Sequence, residues 1–102
     1  SLGDRGMVTI GELKNLIHLN LSRTEVSDTG LAELRGLSYL ESLNLVGTAI
    51  SNQGLRHLNG LTTLRNLYLW QSQSNEAGWR ALGRKLPKLK LDAGLSLETA
   101  TQ

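Results

Sequence analysis

Apolar residues recur along this chain at an interval of 24 positions. Leu16, Leu19 and Leu21 return as Leu40, Leu43 and Leu45, and again as Leu64, Leu67 and Leu69. The same interval relates Gly6, Gly30, Gly54 and Gly78, then Met7, Leu31, Leu55 and Trp79, then Ile10, Leu34, Leu58 and Leu82. Self-similarity at a fixed period is the mark of a repeat architecture. Within each copy the apolar period changes. Leu19-Asn20-Leu21 alternates as a half-buried strand does, whereas Leu31, Leu34 and Leu37 are spaced by three, which predicts a helix. Each repeat therefore reads as strand, turn and helix. Ser27-Asp28, Ser51-Asn52 and Asn75-Glu76 stand where each helix starts, so Ser or Asn is expected to cap free amides. Asp28 and Glu76 are then expected to favour the positive end of the helix dipole. Gly36 and Gly60 are expected to close their helices in the left-handed conformation. The Gly30, Gly54 and Gly78 column falls in the first helical turn, where a missing Cβ lets the helix approach its neighbour.

Parallel strands joined by helices in right-handed crossovers stack into a curved α/β solenoid, with strands on the concave face and helices on the convex face. Neighbouring repeats then share one leucine core. The domain is expected over residues 1–92: a half repeat at 1–13, repeats from about 14, 38 and 62, and a short last strand at 88–92. Residues 93–102 read as a C-terminal tail. The half repeat supplies only a helix, so the strand near Leu16 is expected to present an open edge, covered in a longer protein by something upstream. Ser74 stands in the Val26 and Ile50 column, and Leu86 arrives one residue later than Leu61 would place it, which predicts a longer last helix.

The pattern L-x-x-L-x-x-L-x-L-x-x-T-x-[VI]-S-[DN]-x-G-L-x-x-L-x-x-L, running from position 2 to about 92, resembles leucine-rich repeats of the ribonuclease-inhibitor-like type. The last stretch, Leu64-Arg65-Asn66-Leu67-Tyr68-Leu69-Trp70-Gln71-Ser72 with Ala81-Leu82 and Leu86-Pro87-Lys88-Leu89-Lys90-Leu91, resembles the terminal repeat of certain bacterial proteins. Those proteins append such a domain to a membrane-tethered c-type cytochrome region. The resemblance implies a periplasmic, extracytoplasmic home and a haem-bearing domain upstream.

Strand alternation sends Leu19 and Leu21 inward and His18, Asn20 and Ser22 to the concave face. The next strands add Ser42, Asn44 and Val46, then Asn66, Tyr68 and Trp70, and the short last strand adds Lys88, Lys90 and Asp92. Tyr68 and Trp70 form the centre of the candidate contact site, because neighbouring exposed aromatics bring large apolar area at little rotamer cost. The alternative is a terminal cap in which Leu95 or Leu97 covers them. Trp79 occupies the Leu31 and Leu55 column and is expected in the core. The Thr24, Thr48 and Ser72 column is read as structural, its hydroxyls turned in to satisfy turn amides. Asn20-Leu21-Ser22 matches a glycosylation sequon, but a strand is a poor acceptor.

Composition narrows the function. The chain has 102 residues, enough for one domain, and 23 leucines but no Phe. With no Cys there is no disulfide framework, thiolate metal site or haem-attachment motif. No apolar run approaches the roughly 18 residues of a spanning helix, no leader opens the sequence, and no membrane insertion is expected. Residues 1–51 carry 4 basic and 6 acidic side chains, and residues 52–102 carry 7 and 3, with Arg80, Arg84, Lys85, Lys88 and Lys90 concentrating the excess. The aromatics are too few for a nucleic-acid stacking platform. His18 and His57 should lie on different faces, and no nucleophile, paired-carboxylate or metal-ligand motif appears. A non-catalytic, cofactor-free protein-interaction module is therefore expected, binding a partner on the concave strand face. The alternative is a structural domain packing in cis against an upstream domain. A monomer is expected, with edge-strand pairing between copies as the route to a dimer.

Overall fold

The computed structural model describes residues 2–94. Strands β1 (His18–Asn20), β2 (Ser42–Asn44), β3 (Asn66–Tyr68) and β4 (Lys90–Asp92) form one parallel sheet in sequence order. His18 pairs with Ser42, Ser42 with Asn66 and Asn66 with Lys90, so the sheet register is the 24-residue repeat of the sequence. Helices α1 (Met7–Gly11), α2 (Asp28–Leu31), α3 (Asn52–Leu55) and α4 (Glu76–Lys85) alternate with the strands. The sheet and the helical layer enclose one core of Met7, Val26, Ile50 and leucines from every repeat.

The helical segments differ from a plain α-helical reading for a reason visible in their spacing. Leu31, Leu34 and Leu37 are three apart, which matches the three residues per turn of a 3₁₀ helix. Accordingly α2 is one α-turn that tightens into a 3₁₀ segment at Ala32–Gly36, and α3 does the same at Arg56–Leu58. In the last repeat Trp79, Leu82 and Leu86 are spaced by three and then four, close to 3.6. There α4 is a continuous α-helix of 10 residues, longer than its counterparts as expected. The extra residue is absorbed before β4. Glu41 and Ser42 both donate their N–H to the Ile17 carbonyl, and Arg65 and Asn66 both donate to that of Glu41. The Arg65 carbonyl receives Lys90. The last strand thus begins at Lys90 rather than Lys88, which lies in the turn before it.

The caps correct one expectation and refine two. Ser51 Oγ accepts from the Gln53 N–H at 3.2 Å and Asn75 Oδ1 from the Ala77 N–H at 3.1 Å. Ser27 makes no such bond; its hydroxyl donates to the Asp4 carboxylate, which also accepts the Ser27 N–H at 2.7 Å. Asp28 holds Ser51 in the same way, and Asn52 Oδ1 accepts the Asn75 N–H at 2.9 Å. Asp28 therefore serves the next repeat more than its own helix dipole. This ladder explains the glycine column. A Cβ on Gly54 would lie 2.2 Å from Asp28 Oδ1 and one on Gly78 2.2 Å from Asn52 Oδ1, so each glycine makes room for the preceding repeat's side chain.

The left-handed residues are not Gly36 and Gly60. They are Arg23, Gly47 and Gln71, one 24-residue column in the turn after each strand, together with Gly94. The Thr24 and Thr48 hydroxyls point inward as expected, yet they chiefly donate to carbonyls, those of Leu21 and Leu45, at 2.8 and 2.7 Å. Ser72 accepts the Ser74 N–H at 3.3 Å. Trp79 packs against the core but remains half-buried, and its indole N–H donates to Ser74 Oγ at 2.9 Å. The wide indole thus sits beside the place where Ser74 stands for Val26 and Ile50.

Candidate functional site: the strand face

Successive side chains of a strand point to opposite sides, so the leucines of each strand turn to the helices and their neighbours turn away. Three rows of outward residues result. Pairing gives His18, Ser42, Asn66 and Lys90 as one row and Asn20, Asn44, Tyr68 and Asp92 as the next. A third row follows from the Arg23 N–H to the Val46 carbonyl and the Gly47 N–H to the Trp70 carbonyl, which set Ser22, Val46 and Trp70 side by side. The structure therefore brings together His18, Asn20, Asn44, Val46, Asn66, Tyr68, Trp70 and Lys90 on one surface. Lys88 falls outside it, because its turn places it with Arg65 and Lys85 beside the end of α4.

Tyr68 is 37% exposed and Trp70 49%. Trp70 is also held. Its Nε1–H donates to Asp92 Oδ1 at 2.8 Å, and that same oxygen accepts the Gly94 N–H at 3.1 Å. A Cβ on Gly94 would come within 2.9 Å of the indole ring, so the backbone at Gly94 lies against Trp70 and only glycine fits there. The cover over Trp70 in the described residues is thus Gly94; Leu95 and Leu97, proposed from the sequence as a cap, lie outside them.

The asparagines play a part the sequence reading missed. Asn20 Oδ1 accepts the Ser22 N–H at 2.9 Å and Asn44 Oδ1 the Val46 N–H at 3.0 Å, so both close Asx turns. Asp92 does the same two places further along the row, where Tyr68 interrupts the series. The signal was present in the Asn20 and Asn44 column two residues ahead of each turn. Their oxygens are committed to the fold, and Asn44 stands next to Tyr68 in the row.

Charge on the face is sparse. His18, Lys90 and Asp92 are its ionisable groups, and Asp92 is occupied by Trp70. The basic residues of α4 lie elsewhere; Arg80 pairs with Glu76 at 3.0 Å, the sole ion pair among the described residues. His57 lies on the helical side, where its Nδ1 is 2.7 Å from Arg35 Nη2, away from His18 on β1. No group of three or more His, Cys, Asp or Glu side chains among the described residues could hold a metal ion. No helix among them is long and apolar enough to cross a membrane. Neither a family model nor a curated protein matches the chain.

Proposed function

We propose that the chain is a leucine-rich repeat module, a right-handed solenoid with strands on its concave face, that binds a protein partner there without catalysis. The observation that carries this reading is the adjacent exposure of Tyr68 and Trp70, the latter already fixed by Asp92 and Gly94. An aromatic held in one rotamer has little entropy left to lose on binding. Asn20, Asn44 and Asn66 add polar donors around the pair, and Lys90 adds a positive rim that raises association rates. An extracytoplasmic setting within a larger bacterial protein belongs to the same proposal and rests on the sequence resemblance.

The test is crosslinking and pull-down from an extracytoplasmic extract, comparing the native chain with Tyr68→Ala/Trp70→Ala after circular dichroism shows that both are folded. The reading expects a partner that the native chain captures and the double variant loses. Retention of every partner by the folded variant contradicts it. A second reading is packing in cis against an upstream domain through the amino-terminal edge around Ile17 to Ser22 and Met7. It is favoured by the exposure of Ile17, with Leu13 and Val8 exposed at the same end, although Met7 itself is fully buried.

A further inference from the structure

The amino-terminal end of the sheet departs from its interior in a regular way. Leu13 is 49% exposed, whereas its counterparts Leu37 and Leu61 are 0% and 2% exposed. Leu16 and Leu19 are half-buried, while Leu40, Leu43, Leu64 and Leu67 are buried. The backbone repeats the contrast. Glu41 and Ser42 find the Ile17 carbonyl, and Arg65 and Asn66 find that of Glu41, but the equivalent N–H groups of Ile17 and His18 have no such acceptor among the described residues. Leu21 and Arg23 donate toward the second repeat, so by alternation the His18 and Asn20 N–H groups point away from β2. A shallow, open depression of about 640 Å³ lined by residues 12–18 lies at this end.

Each pair of neighbouring strands in this sheet keeps one register, offset by 24 residues, and the β1–β2 and β2–β3 junctions share one hydrogen-bond pattern. Whatever fits the free edge of β1 must therefore resemble what fits the edges of β2 and β3. We infer that the β1 edge binds an extended peptide segment of pattern L-x-x-L-x-L, added parallel to β1. Its backbone carbonyls accept from Ile17, His18 and Asn20, and its leucines cover Leu16 and Leu19. This inference rests on the second reading above and names what the end face receives: a pairing strand rather than a flat apolar surface.

The test adds a synthetic peptide of residues 39–47, which carries Leu40, Leu43 and Leu45, to the whole chain and follows amide exchange and methyl shifts by NMR. The expected result is exchange at His18 and Asn20 slowed about tenfold or more, with no protection from a peptide bearing Leu43→Ser and Leu45→Ser. Methyl shifts at Leu13 and Ile17 without amide protection would overturn strand addition while leaving apolar packing at this end in place. Protection confined to β4 would overturn it as well. No response at either edge would overturn the inference, while the second reading stands or falls on packing against a folded domain.

Discussion

Arg23 and Gln71 hold φ values of 55° and 58°, where Gly47 holds 69° in the same column. A left-handed backbone costs a residue with a Cβ roughly 1–2 kcal/mol, and glycine returns about 0.4–1 kcal/mol of that as unfolded-state entropy. Gln71→Gly is therefore expected to stabilise the chain by a few tenths of a kcal/mol to about 1 kcal/mol, read as a higher urea midpoint with an unchanged slope. Trp70→Phe keeps the ring against Gly94 but removes its N–H from Asp92, and should lower stability by about 0.5–1 kcal/mol in the same assay. The turn column was hard to read from the sequence because one member of three is glycine, so the conformational demand is masked by Arg23 and Gln71. Tyr68 and Trp70 were legible as outward-facing because strand alternation fixes them. The pinning of Trp70 was not, since Asp92 and Gly94 reach it only through a sheet register 24 residues away.

The strands were legible in place because the sheet register repeats the leucine period. The helices were legible in place but not in type, since spacing by three fits 3₁₀ geometry better than α, and only the last repeat carries an α-helical spacing. The ladder from Asp4, Asp28 and Asn52 to the next repeat's cap was the least legible element, because each residue looks like a local helix-start signal. It now makes a sharp prediction. Asp28→Ala strips acceptors from the Ser51 N–H and hydroxyl and should cost about 1–3 kcal/mol, whereas Asp28→Asn keeps an acceptor, as Asn52 does, and should cost less. Gly54→Ala drives a Cβ into Asp28 and should cost about 1–3 kcal/mol. In the Asp28→Ala background the same change should cost less, and a double-mutant cycle by chemical denaturation measures that coupling.

For the molecule as a whole, the two ends of the sheet have different chemistry. The amino end leaves Leu13 exposed and the Ile17 and His18 amides without an acceptor among the described residues. The carboxyl end carries the longer helix α4, the braced Trp70 and a second edge strand, β4, where Leu89 and Leu91 are partly buried. One consequence is an acid dependence seated at the amino end. The Asp4 carboxyl is held below its ordinary 3.8, first by the Ser27 hydroxyl and then by the Ser27 and Gly30 N–H groups, against an opposing effect of burial. A depressed carboxyl contributes stability that is present above its unfolded value and is lost as pH falls through the folded one. Stability should therefore drop below the ordinary carboxylate value, and Asp4→Asn should flatten that decline in denaturation curves taken from neutral pH down to about 2.

The measurement that bears most directly on a protein-binding strand face is photocrosslinking from single positions of the whole chain, with a benzoyl-phenylalanine replacing Tyr68 in one variant and Tyr39 in another. Both tyrosines are exposed, Tyr39 at 60%, but Tyr39 lies outside the strands, in the turn before β2. A specific protein adduct from position 68, absent from position 39, is the predicted result. Equal adducts from both positions, or an adduct from position 39 alone, would contradict it.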